Sequence, residues 1–168
     1  PTFLVEAKQN AIEMAGWKVA AFEIAGIAGA LTAGVVSDRL FGGRRAPAAI
    51  TFLVLVMIAV LGFWLVPPGY PWIDALFLFL IGFAIYGPQM LVGVSAADFA
   101  SKGAAATATG FTGLFGYIGS AICGVGTGLI VDRWGWDGGF VFFLSAAAMA
   151  TLFFVLNWNA KSRETLRA

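Results

Sequence analysis

Apolar residues run along this chain in long blocks separated by short polar breaks. Five blocks, Trp17–Ser37, Pro47–Val66, Ile73–Ala97, Ala104–Val131 and Gly138–Trp158, reach the roughly 20 residues a helix needs to cross a bilayer. The two longest exceed that minimum, so they must tilt, bend or protrude. The breaks, "DRLFGGRRA", "PPGYPW", "DFASKG" and "DRWGWDG", hold the Gly, Pro and Asp residues that stop helices and make turns. They are short, so successive helices are expected to be antiparallel neighbours. The pattern predicts an all-α, polytopic transmembrane helix bundle of about five spans, with no room for a domain outside the membrane.

Composition strengthens this reading. Hydrophobic residues make up 60% of the 168 residues and charged residues 11%, where soluble domains have roughly 45–50% and about 25%. Mean hydropathy is +0.89, which makes lipid the expected solvent and the bilayer the first partner. The net charge of +1 comes without a basic stripe, so no nucleic-acid partner is expected. There is no His, and Cys123 is the single cysteine. It lies in an apolar run and reads as a small buried side chain. Nitrogen- and sulfur-ligand metal sites and Cys–His nucleophilic pairs are thereby excluded within this chain. No paired carboxylates stand at catalytic spacing inside a span, and the reading is of a protein that is not an enzyme and needs no cofactor.

The few charges are concentrated. Four of them, Asp38, Arg39, Arg44 and Arg45, fall within the nine residues "SDRLFGGRR". Lys and Arg favour cytoplasmic loops. Arg39, Arg44, Arg45, Lys102, Lys161, Arg163 and Arg167 share one side of the expected bundle, against Lys8, Lys18 and Arg133 on the other. The "SDRLFGGRR" loop and the C-terminus are therefore expected in the cytoplasm. Tyr70, Trp72, Trp134 and Trp136 mark the external interface. The first residues carry Glu6, Lys8 and Glu13 and are no signal peptide. With Pro1 outside and no initiator Met, the chain is expected to be a piece of a larger membrane protein.

Inside the spans a few positions stand out. Gly26, Ala30 and Gly34 recur every fourth residue in the first span, and Thr112, Gly116, Ser120, Gly124 and Gly128 do so in the fourth. Small side chains at that spacing let membrane helices approach closely. Glu23 is the one charge well inside a span, about six residues or roughly 9 Å from Trp17, and is a candidate gating group. Pro88, in "IYGPQMLVG", removes a backbone hydrogen bond and is expected to kink the third span. Tyr86 and Gln89 flank it, and Tyr117 brings a second hydroxyl to depth in the fourth span. All three are candidate cavity residues.

"GVVSDRLFGGRR" resembles the G-x-x-x-D-R-x-x-G-x-R-R signature of major facilitator transporters. "FEIAGIAGALTAGVVSDRLF", "IYGPQMLVG", "AAATATGFTGLFGYIGSA" and "GWDGGF" resemble the organophosphate:phosphate antiporters within that superfamily. Glycerol-3-phosphate, hexose-6-phosphate and phosphoglycerate transporters and a sugar-phosphate sensor make up that group. The resemblance covers nearly the whole chain. It implies the C-terminal half of such a protein, with residues 1–16 as the end of helix 7 and an external loop. Residues 17–168 would then be a five-helix bundle, helices 8 to 12, with a short cytoplasmic tail in the inner (plasma) membrane. It implies exchange of a small organophosphate for inorganic phosphate by alternating access, with a sensor that activates a signalling kinase as the alternative. It also implies that the main phosphate-binding arginines lie in the missing N-terminal half and on helix 7. Tyr86, Tyr117 and Gln89 then become the substrate-binding candidates. Glu23, Asp38, Arg39, Arg44, Arg45 and Pro88 become the gating or conformational ones.

Overall fold

The computed structural model describes residues 2–160. Lys161, Arg163 and Arg167, which enter the orientation count, lie outside the described residues. The helices are α1 (Thr2–Glu6), α2 (Ile12–Leu40), α3 (Arg45–Leu65), α4 (Pro71–Phe99) and α5 (Ala105–Leu156). Four of them, α2 to α5, are long and apolar enough to cross a membrane. The expected first span is extended, because α2 begins at Ile12 and not at Trp17.

Five crossings come from these four helices because α5 is folded back on itself. At 52 residues, a straight helix would be roughly 78 Å long, far beyond a hydrocarbon core of roughly 30 Å. Gly135 interrupts it with φ 69° and ψ −174°, a conformation open to glycine because there is no Cβ to clash. The two arms then run antiparallel. Thr109, near the start, lies beside Gly93 of α4. Trp136 and Phe140, just past the break, pack on Phe3 and Phe63. Phe154, near the end, has returned to the Ala48–Phe52 part of α3.

The core lies where α2, α3 and α4 meet. On α3 the buried positions Ala49, Phe52, Leu53, Val56, Ala59 and Phe63 follow the helical repeat and make one apolar stripe. Pro47 sits in the first turn, where its missing N–H costs no helical bond. The turn from α2 to α3 runs through Gly42 and Gly43 with φ of 58° and 78°, as the "FGG" sequence leads one to expect. Parallel α2 and α4 approach most closely. A side-chain carbon on Gly29 would strike the Phe83 carbonyl, and one on Gly82 would strike the Phe22 carbonyl. Helix backbones in direct contact are what small residues at fourfold spacing permit.

The second small-residue stripe has no such partner among the described residues. A carbon added at Gly116, Gly124 or Gly128 would meet nothing within 4 Å. Cys123 differs from its expected burial, since it lies on this open first arm of α5 and is only half-buried. The expected kink at Pro88 leaves α4 continuous from Pro71 to Phe99. Inside that helix Pro88 cannot donate a backbone bond to the preceding turn.

Candidate functional site

Polar side chains are held at three levels along the α2–α4 seam. Half-way along, Tyr86 of α4 donates its hydroxyl hydrogen bond to Glu23 Oε2 of α2. Glu23 is exposed and Tyr86 half-buried, so the pair sits on an open face of the seam. The Tyr86 ring lies over Gly26 and meets Phe22 edge-on, with centroids 6.2 Å apart.

Close to this pair, α4 and the first arm of α5 enclose a cleft of about 530 Å³. Gln89 and Tyr117 line it together with Thr109, Thr112 and Ser120. Tyr117 is 80% exposed, and its ring is free to meet a molecule in the cleft. The named polar groups are all uncharged amides and hydroxyls, which hydrogen-bond oxygen-rich ligands but supply no cation. Tyr86 is not in this lining. The structure therefore groups two of the candidate cavity residues, Gln89 and Tyr117, and sets the third against Glu23.

At the end carrying Phe41–Arg44, Arg45 joins three side chains. Its Nη1 donates to Asp38 Oδ1 at 2.5 Å and to Ser37 Oγ at 3.1 Å. Its Nε donates to Asp98 Oδ2 at 3.1 Å. One guanidinium thus ties the end of α2, the start of α3 and the end of α4, which its planar fork suits it to do. Asp38 and Arg45 meet as candidates. Arg39 is exposed, and Arg44 turns its Nε back to the Phe41 carbonyl at 3.3 Å. Among the described residues neither pairs with a carboxylate.

At the opposite end lies a cluster that the sequence pattern did not single out. Asp74, in the first turn of α4, is 1% exposed. Lys8 Nζ lies 3.1 Å from its Oδ1 and Lys18 Nζ 3.8 Å from its Oδ2. Both lysines are buried as well. Two cations and one anion leave an excess positive charge, and the end of α3 and Asn10, between α1 and α2, answer it. Lys8 Nζ also donates to the carbonyls of Phe63, at 3.3 Å, and of Val66. These are unpaired groups at the C-terminus of α3, where the helix dipole is negative. Lys18 donates to Asn10 Oδ1 at 2.7 Å, and Asn10 Nδ2 donates to the Leu4 carbonyl at 3.1 Å. The cluster ties together the start of α4, the end of α3 and the stretch before α2. Lys18 and Asp74 each sit at the edge of an expected span, and that placement was the one sequence signal for it. Ser37 and Asp98 were missed for the same reason, being partners supplied by other helices.

Residues 1–167 match the Major Facilitator Superfamily. The chain belongs to that superfamily. Among its relatives, the glycerol-3-phosphate transporter of Bacillus subtilis is 48% identical over 164 residues, covering 97% of this chain and 37% of that protein. A probable hexose phosphate transport protein of Chlamydia pneumoniae is 42% identical over 164 residues, covering 97% of this chain and 36% of that protein. The membrane sensor protein UhpC of Escherichia coli is 40% identical over 144 residues, covering 86% of this chain and 33% of that protein. The chain thus spans about a third of the length of the curated relatives it matches. As a major facilitator chain with several long apolar helices, it is a multi-pass membrane protein. The all-α reading and the resemblance to the organophosphate group both agree with these relatives. Their names denote transport or sensing, not catalysis.

Proposed function

We propose that this chain is part of a membrane transporter that exchanges a phosphorylated metabolite for inorganic phosphate by alternating access. Glycerol 3-phosphate, a phosphoglycerate and a sugar phosphate are the substrate classes in view. The observation that carries the proposal is the cleft of about 530 Å³ lined by Gln89, Tyr117, Thr109, Thr112 and Ser120. It offers hydrogen bonds to the many oxygens of an organophosphate but no guanidinium or ammonium to its charge. A phosphate dianion is best met by bidentate arginine. We place those cations in parts of the full-length protein beyond this chain, which would include its N-terminal half.

In this reading Tyr86, Tyr117 and Gln89 contact substrate, and Glu23 links the Tyr86 hydroxyl to conformational change. Asp38, Arg39, Arg44, Arg45 and Pro88 govern the change of state. The stretch before Ile12 forms the end of helix 7 with an external loop, and α2 to α5 form the five-span bundle. The Phe41–Arg44 turn and the C-terminus face the cytoplasm across the inner (plasma) membrane, as the excess of Lys and Arg on that side favours.

The test uses liposomes holding the full-length protein and loaded with phosphate. Labelled glycerol 3-phosphate, 3-phosphoglycerate or glucose 6-phosphate is offered outside, and counterflow with at least one is expected. Exchange with none of them rejects the transporter reading. Binding of a sugar phosphate without exchange would instead favour a sensor, the class that the 40% identity to UhpC brings into view. The 168 residues alone are expected to exchange nothing.

A further inference from the structure

We infer that Gly26 is a positioning residue for the Tyr86 hydroxyl, a role distinct from the helix contact its spacing suggests. The inference rests on the proposed place of Tyr86 in the substrate path. Of the glycines on α2, Gly29 faces backbone, the carbonyl of Phe83. Gly34 faces only the terminal methyl of Met90, 3.1 Å from where a side-chain carbon would stand. Gly26 faces an aromatic ring. A carbon there would lie 2.5, 2.7 and 2.9 Å from Tyr86 Cδ2, Cε2 and Cγ, far inside ordinary van der Waals contact.

The ring rests on the bare backbone of α2, and its surroundings fix where the hydroxyl goes. Glu23 is three residues before Gly26 and Phe22 four, so all three share one face of the helix. Side chains on a helix lean toward its N-terminus, and the Tyr86 hydroxyl, lying beyond the ring, reaches Glu23 one turn back. Phe22 closes the side of the slot edge-on. The depth of the slot is set by two backbone contacts, Phe22 carbonyl to Gly82 and Gly29 to the Phe83 carbonyl. Neither helix can retreat to admit a methyl group at Gly26 without breaking one of them. The ring must therefore move, and it carries the hydroxyl away from Glu23.

The experiment is a double-mutant cycle in the full-length protein, with counterflow in liposomes and thermal stability as readouts. Tyr86→Phe is measured first. A clear loss, about five- to tenfold in kcat/KM, agrees with the place given to Tyr86, whereas no loss rejects that reading and not the slot. Gly26→Ala is expected to match the loss of Tyr86→Phe within about twofold, and to add less than about twofold when Tyr86 is already Phe. Gly34→Ala, the packing control, is expected to leave transport unchanged. Full additivity of Gly26→Ala and Tyr86→Phe overturns the inference. If Gly26→Ala fails to reach the membrane, Gly26→Ala with Tyr86→Ala decides the matter. Recovery to the level of Tyr86→Ala alone supports the slot, and failure to recover overturns it.

Discussion

Arg45 Nη1 lies 2.5 Å from Asp38 Oδ1, across a turn that Gly42 and Gly43 make possible with positive φ. The same guanidinium holds Asp98 of α4 at 3.1 Å. Two carboxylates from different helices therefore share one cation through different nitrogens, and a change in the spacing of α2 and α4 alters both contacts together.

This geometry makes Asp38 a candidate latch. Asp38→Asn keeps the shape of the side chain and removes its charge, leaving Arg45 on Asp98. The exchange rate of the full-length protein is expected to change by about tenfold, with apparent substrate affinity within about twofold. Initial-rate counterflow at varied substrate concentration separates the two. An unchanged rate with weakened affinity would count against the latch.

Asp74 presents the opposite case, a buried anion between two buried cations. Asp74→Ala leaves Lys8 and Lys18 without their shared counter-ion, at an expected cost of about 3–5 kcal/mol. Thermal unfolding in detergent should show a large drop in midpoint. Lys8→Met should be milder, because Asp74 keeps Lys18 and the apolar stem still packs beside Phe3 and Phe63. Equal losses for the two variants would argue against this ranking.

Two glycines on one helix are expected to behave differently. Gly29→Ala drives a carbon into the Phe83 carbonyl, and backbone cannot yield as a side chain can. Gly34→Ala meets only the Met90 methyl at 3.1 Å, which can swing aside at a cost of about 1 kcal/mol or less. Membrane abundance and thermal midpoint should fall sharply for the first and little for the second.

Tyr117 is 80% exposed and lines the cleft with Gln89. Tyr117→Phe should therefore leave the thermal midpoint unchanged while lowering kcat/KM by about three- to tenfold, the worth of one hydrogen bond. A matching fall in stability would assign its hydroxyl to packing and not to substrate.

The helices were legible because each apolar block is long enough to be a span by itself, and a helix satisfies its own backbone. Gly42 and Gly43 were legible for a similar local reason, since the turn needs residues that accept positive φ. Lys8, Lys18 and Asp74 were not legible as a group. They come from three separate stretches of chain, and each alone reads as an ordinary charge near a span end. Glu23, Tyr86, Gln89 and Tyr117 stood out one by one as polar groups at depth, but nothing in their order showed which would meet.

By itself, then, the sequence determined that the chain is helical and crosses the membrane, and its motifs placed it in the major facilitator superfamily. These follow from runs and spacings along one dimension. Only the tertiary structure decided that Tyr86 bonds Glu23 while Gln89 faces the cleft with Tyr117. On a helix, residues three apart diverge by about 60°, so Tyr86 and Gln89 point to neighbouring yet different surfaces. Which surface meets α2 and which meets α5 is set by the bare backbones of Gly29 and Gly82, where the two helices touch.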